Sequence, residues 1–422
     1  MKFVQGGVTA AKGFLANGIH SGLKASRKTY DTALVYSQNL CDAAGLFTSN
    51  KVKAECVKYT MQKIKGGKMQ AAVCNVCFAN ACTGAEGYKT AQMTAEAVAK
   101  EVKINADNVI VCSTGIIGQP IPRDVLLSHI PELAAGLSKD GNEKARAAIM
   151  TTDTHYKECA VQTQIGGKTV TIGAMCKGSG MIHINMGTML CFVTTDCDIS
   201  AGMLDAALRE VVPLTYNCVS VDGDTSTNDT ITIMANGQAG NARIESKSGD
   251  WKNFVQALHA LSEAMAKKIA ADGEGASRLV ECLVTGAKDD ASARVLAKEV
   301  IGSNLVKAAM FGRDANCGRV LCAMGYSGAE FNPDKTTVSF LSKEGAARYF
   351  DDPAADLFAG AESIEVVRDG VGLSFDEEKA TRILGREAVQ ILVQLQEGSG
   401  SAKAWGCDLT YDYVKINGDY RS

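Results

Sequence analysis

Residues 177 to 196 constrain the fold most. Lys177-Gly178-Ser179-Gly180-Met181 is a glycine-rich loop headed by a cation, and it soon becomes Leu190-Cys191-Phe192-Val193-Thr194-Thr195, an apolar run rich in strand formers. Whatever the fold, it must turn a flexible loop into a buried strand at this point. Gly187-Thr188 sits at the junction. A threonine placed there can attack the carbonyl in front of it, cut the chain, and emerge with a free amine beside its hydroxyl.

The rest of the chain repeats the strand signal in alternation with helical patterns, which predicts an α/β architecture. Strands are expected at Met69–Cys74, Asn108–Cys112, Lys168–Met175, Cys218–Val221, Thr230–Met234 and Leu279–Gly286. Helical spacing marks Thr90–Val102, a segment capped by Ser200, and a run from Ala291 to about Met310. The clearest helix begins at Asp250, where Trp251, Phe254, Val255, Leu258, Leu261, Met265 and Ile269 form one stripe. Residues 330 to 400 read as strands plus a helix at Glu387–Gln396, and Leu409–Asn417 alternates like an edge strand. With 422 residues, 6 prolines and no low-complexity linker or solenoid repeat, the expectation is two lobes of mixed sheet packed with helices.

Charge narrows the partners. A net charge of −3 without a clustered basic stripe offers no field for nucleic acid or an anionic membrane, so substrates should be small molecules or proteins. The first residues meet polar and glycine positions too early for a signal-peptide core, and no run approaches the length of a membrane helix. The 15 scattered cysteines then read as reduced, mostly buried thiols of a cytoplasmic protein. Cys74-x-x-Cys77, with Cys82 nearby, lacks a second ligand pair, and small buried hydrophobes are expected there in place of a metal site. Asp222-Gly223-Asp224-Thr225-Ser226-Thr227-Asn228-Asp229 lacks the glutamate that closes a calcium loop and reads as a polar hairpin loop.

A threonine hydroxyl needs a base. Cleavage before Thr188 would supply one, because free α-amines titrate near ~7.7–8. Gly187 suits that cleavage, since a residue without a Cβ tolerates strain and close approach. His183 could serve as base instead, but a loop-packing role suits it better. Acyl chemistry also needs oxyanion donors, and Thr114 with Gly115, leaving a buried strand, offers a hydroxyl and a backbone N–H. Strand-Ser-Thr-Gly turns are common, so spacing alone does not decide that role. Lys177 and Glu274 could hold the carboxylate and ammonium of a zwitterion; by position alone both also read as solvated loop charges.

Taken together, these segments resemble the ornithine acetyltransferase family, the bifunctional glutamate N-acetyltransferases of arginine biosynthesis. The resemblance spans nearly the whole chain. It is carried by Ser113-Thr114-Gly115-Ile116-Ile117-Gly118, Thr151-Thr152-Asp153-Thr154, Lys177-Gly178-Ser179-Gly180-Met181, Asn185-Met186-Gly187-Thr188-Met189-Leu190, Asp222 to Thr230, Asp272-Gly273-Glu274-Gly275-Ala276 and the tail around Asn417. It implies an enzyme with a fold shared by self-processing aminopeptidases, cleaved between Gly187 and Thr188 into an α chain (1–187) and a β chain (188–422). The new N-terminal Thr188 would be the nucleophile that carries acetyl from N2-acetylornithine to glutamate. Thr114 and Gly115 would stabilise the oxyanion, and Thr151, Lys177, Thr188, Glu274, Asn417 and Ser422 would contact substrate. No cofactor is implied, although acetyl-CoA is a possible co-substrate, and the implied assembly is a heterotetramer of two α and two β chains. A self-processing aminopeptidase or amidase is the alternative on the same threonine.

Three positions depart from the family pattern. Gly187 stands where many members carry alanine. Asn75-Val76-Cys77-Phe78-Ala79-Asn80 replaces Asn-Ser-Gly-Asn-Ala-Asn, and Ser422 replaces a terminal threonine.

Overall fold

The strand Leu190–Thr195 is buried along its whole length and lies in the middle of a mixed sheet. It runs parallel to Thr230–Ala235 on one side and antiparallel to Lys168–Lys177 on the other. A continuous apolar run is what a strand covered on both faces requires. The computed structural model describes residues 1–183, 189–345, 350 and 352–419. Among them this sheet has nine strands. Their order is Lys2–Val4, Lys157–Ile165, Lys168–Lys177, Leu190–Thr195, Thr230–Ala235, Thr32–Phe47, Lys68–Asn75 and Val109–Ser113, with Phe14–Ile19 paired to Thr32–Phe47.

Strand side chains alternate between two apolar clusters. Ala71, Val73, Val109 and Val111 join residues of the helices Glu55–Lys63, Gly84–Val102 and Arg123–Ala135 in one cluster. Ala72, Cys74, Ile110 and Cys112 face the other, with Phe192, Leu190 and Met175. Cys74 and Cys112 are thus small core hydrophobes, and burial pushes both thiols up. The expectation of buried thiols fails at Cys77, which is half-buried, and at Cys82, which is exposed on the loop beyond the strand.

The chain divides into two compact units. The first takes in Met1–Gly178, the strand Leu190–Thr195 with the helix Ala201–Val211, and Thr225–Met265; the second takes in Ser179–His183, Cys218–Asp224 and the chain from Ala266 onward. The second unit holds a six-stranded sheet in the order Val371–Gly372, Glu362–Arg368, Thr337–Ser342, Ala388–Gln394, Leu279–Ala287, Gly400–Cys407. Leu279–Ala287 is parallel to Ala388–Gln394 and antiparallel to Gly400–Cys407. The helix Asp290–Gly302 packs across Leu279–Ala287 and Gly400–Cys407. Both units are therefore mixed α/β, as the alternation of patterns predicts.

Four local expectations are corrected. The segment from Ala291 to Met310 is two helices, Asp290–Gly302 and Asn304–Gly312, because Ser303 adopts an extended backbone and its side chain accepts from Val306 N–H to start a new helix. Glu387–Gln396 is not a helix: Ala388–Gln394 is an inner strand, while the helix is Glu377–Leu384, capped by Asp376. A short apolar run fits either state, and β-sheet partners on both sides decide it. The tail is a helix, Tyr411–Gly418, and not an edge strand. Its alternating apolar residues are not buried, Tyr411 being 83% exposed, and the Thr410 side chain caps it by accepting from Tyr413 N–H. The strand Ser220–Thr225 runs into the expected polar loop, pairs with Ile182–His183, and leaves a shorter connection before Thr230.

Candidate active site

In the first unit, the strand Val109–Ser113 ends at a loop fixed from several sides. Ser113 Oγ donates to Asn75 Oδ1 at 2.7 Å and Thr114 N–H to the Asn75 carbonyl at 3.0 Å. Asn228 Nδ2 donates to the Ser113 carbonyl at 2.7 Å. Ile116 N–H then reaches the Cys77 carbonyl, and Ala79 N–H the Ile116 carbonyl, each at 3.0 Å. The segment from Asn75 to Asn80 is therefore the clamp on this loop. Gly115 has φ +127°, and a Cβ there would stand 2.2 Å from the Cys77 carbonyl carbon. Only glycine fits. Among the described residues the Gly115 N–H has no hydrogen-bond partner, which leaves it available as a donor.

Lys177 ends the strand Lys168–Lys177, opposite Leu190. Its ammonium donates to Thr114 Oγ1 and Thr151 Oγ1, both at 3.2 Å. These partners are neutral, and among the described residues no carboxylate lies in ion-pair range of Lys177. The arrangement is a fixed cation flanked by two hydroxyls, suited to a carboxylate or a developing oxyanion. Asp153, on which sequence reasoning placed no role, accepts from Thr151 N–H, Gly178 N–H and Lys157 Nζ. Burial alone would raise its pKa, but Lys157, then Lys177 and the Gly178 amide, hold it down at about 2.

In the second unit, Glu274 follows the helix Gly249–Ala271 and is 7% exposed. Its N–H donates to the Ser179 carbonyl at 2.9 Å, and Ser179 Oγ donates to the Asp272 carbonyl at 2.7 Å. The carboxylate lies against the Gly180 backbone: a Cβ on Gly180 would stand 2.3 Å from Glu274 Cδ. Asn417, on the helix Tyr411–Gly418, donates its side-chain amide to Glu274 Oε2 at 2.8 Å. Among the described residues no cation pairs with this carboxylate. A buried anion served by one neutral donor is poised for an ammonium group.

Asp222 was also missed. It accepts from Met181 N–H at 2.6 Å, Ile182 N–H at 2.8 Å and Tyr413 OH at 3.3 Å, and it holds a turn in which Met181 has φ +57°. His183 Nδ1 lies 3.0 Å from Ser220 Oγ. Burial, then Lys298, lowers its pKa against the opposing pull of Asp222. Gly187, Thr188 and Ser422 lie outside the described residues. Beside them, Met189 is buried, and its carbonyl accepts from Thr230 N–H at 2.8 Å. Thr114, Gly115, Thr151 and Lys177 thus share one cluster, and Glu274 and Asn417 share another. Among the described residues no group of three or more histidine, cysteine or acidic side chains could hold a metal ion, and no helix is long and apolar enough to cross a membrane.

A family model described as the ArgJ family matches residues 15–422. The chain belongs to the ArgJ family. It is 47% identical over 415 residues to arginine biosynthesis bifunctional protein ArgJ 1 of Clostridium acetobutylicum, covering 98% of this chain and 97% of that one. It is also 47% identical over 425 residues to the ArgJ bifunctional protein of Symbiobacterium thermophilum, covering 100% of each. Against the crystal structure of ArgJ from Bacillus halodurans the identity is 44% and the TM-score 0.48, over 55% of this chain and 99% of that chain. As an ArgJ family member the protein is an enzyme, an acetyltransferase of arginine biosynthesis.

Proposed function

We propose that the protein moves acetyl from N2-acetylornithine to glutamate through an acetyl-Thr188 intermediate, after cutting itself between Gly187 and Thr188. In the first step Thr188 Oγ attacks the Gly187 carbonyl carbon. The Thr188 nitrogen leaves with a proton, and water hydrolyses the resulting ester to give chains 1–187 and 188–422. In the mature enzyme Thr188 Oγ attacks the acetyl carbonyl of the donor, passing its proton by way of the α-amine to the departing ornithine nitrogen. The α-amine of glutamate then attacks the acetyl-Thr188 ester, and Thr188 Oγ regains a proton. Both tetrahedral intermediates draw on the Thr114 hydroxyl and the Gly115 N–H. Ping-pong transfer of this kind needs no cofactor, because the ester keeps acetyl activated.

The observation that carries the reading is the Lys177 ammonium, bonded to the Thr114 and Thr151 hydroxyls and, among the described residues, in ion-pair range of no carboxylate. Such a group awaits an anion, and both amino-acid substrates bring a carboxylate. Glu274 with Asn417 gives complementary support, since it awaits an ammonium group. Ser422 is assigned to substrate, two α and two β chains to the assembly, and the cytoplasm to the location. Acetyl-CoA is assigned as a second donor.

Intact mass and a glutamate-dependence assay test the reading together. Active enzyme should give the two chains, and acetylornithine turnover should require glutamate and vanish in Thr188→Ala. Turnover that proceeds with water alone would instead make the protein an amidase of the aminopeptidase kind.

A further inference from the structure

We propose that Asp153 is the positioning residue of the lysine–hydroxyl cluster: it fixes Thr151 and the Lys177–Gly178 turn so that the Lys177 ammonium meets a substrate carboxylate in one geometry. The inference rests on the function proposed above, in which Thr151 and Lys177 contact substrate. Two stretches of backbone distant in sequence are tied to this one carboxylate. Oδ2 accepts from Thr151 N–H at 3.0 Å, and Oδ1 accepts from Gly178 N–H at 2.8 Å. The same Oδ1 accepts from Lys157 Nζ at 2.6 Å, and both side chains of this ion pair are 0% exposed.

A buried ion pair is weak support for stability, because well-packed apolar residues of similar volume often do as well or better. What an apolar pair cannot do is accept two backbone N–H groups. Those two bonds set the direction in which Thr151 presents its hydroxyl and the path of the chain immediately after Lys177. The Lys177 ammonium depends on both, since Thr151 Oγ1 is one of its two hydroxyl partners. Asp153 touches no substrate in this scheme. It acts through its neighbours, and its influence should therefore fall on substrate binding shared by donor and acceptor.

Asp153→Asn alone would also remove the carboxylate that pairs with buried Lys157, so the informative protein is the double variant Asp153→Asn with Lys157→Met. Melting temperature, kcat and the two KM values, for acetylornithine and for glutamate, are measured on the cleaved enzyme. The double variant should melt close to wild type, with both KM values raised together by about tenfold or more, the scale of a lost charge-assisted hydrogen bond. Unchanged KM values, with or without a fall in kcat, would overturn the positioning role. Asp153→Glu is the companion variant: it keeps a counter-charge for Lys157 but cannot keep both N–H bonds at its greater length. The same parallel rise is expected, and wild-type KM values in it would again overturn the inference. Thr188→Ala separates the two levels. Transfer surviving in Thr188→Ala removes the proposed function, whereas transfer lost there with normal KM values in the Asp153 variants removes only the role of Asp153.

Discussion

At the scale of single residues, Gly115 makes the sharpest demand. Its φ of +127° and the 2.2 Å separation between a notional Cβ and the Cys77 carbonyl carbon leave no room for a side chain. Gly115→Ala must displace either the loop or its clamp, and with it an N–H that has no partner among the described residues. Loss of an oxyanion donor costs on the order of 10²–10³ in kcat, so acetylglutamate formation by the cleaved variant should fall by that much. Near-normal kcat would show that this N–H is not an oxyanion donor. The residues proposed to touch substrate stand out in the sequence, because a candidate nucleophile, a donor pair and opposite charges sit in short motifs. Their supports do not. Asn228 reaches Ser113 across 115 residues of chain, and Asp153 and Asp222 look like solvated loop acids until the backbone N–H groups they accept from are seen.

Among the elements, the C-terminal helix Tyr411–Gly418 does most with least. It is exposed along most of its length, yet it carries the amide of Asn417 to Glu274. Thr410 holds its start, accepting from Tyr413 N–H at 3.4 Å while donating to the Gly275 carbonyl at 2.6 Å. Removing such a cap typically costs ~1 kcal/mol, and here it also unties the helix from the turn that follows Glu274. Thr410→Ala should therefore speed hydrogen exchange across residues 411–418 and raise KM for the amino-acid substrates, with little change in overall melting temperature. An unaltered exchange rate would mean that packing, not the cap, holds the helix. This helix was read from the sequence as a strand because its alternation is real but carries no burial. The inner strand Ala388–Gln394 was misread in the opposite sense. Both errors have one cause: over seven or eight residues periodicity cannot say what lies opposite, and only partners distant in the chain supply that. The long helix Gly249–Ala271 escaped the ambiguity, since its stripe repeats over several turns.

For the molecule as a whole, the proposed cut makes the catalytic base a group that an intact chain does not possess. The Thr188 α-amine exists only after the bond to Gly187 is broken, and the strand Leu190–Thr195 that follows it is held by ladders to Lys168–Lys177 and Thr230–Ala235. The two chains should accordingly stay together in native mass spectra and separate only on denaturation. The pH profile then identifies the base. An α-amine works as a base when unprotonated, so kcat/KM should rise as pH passes through about 7.7–8 and level off above it. His183 would behave differently. Its ordinary value of 6.5 is lowered by burial, so a histidine base would already be neutral below that pH and the rising limb would lie on the acid side of it. Measuring kcat/KM across this range in wild type and in His183→Ala distinguishes the two. A limb below pH 6.5 that disappears in His183→Ala would transfer the role of base to the histidine and end the α-amine mechanism. A limb near 8 that persists in the variant is the expected result, and it should be accompanied by complete cleavage in both proteins.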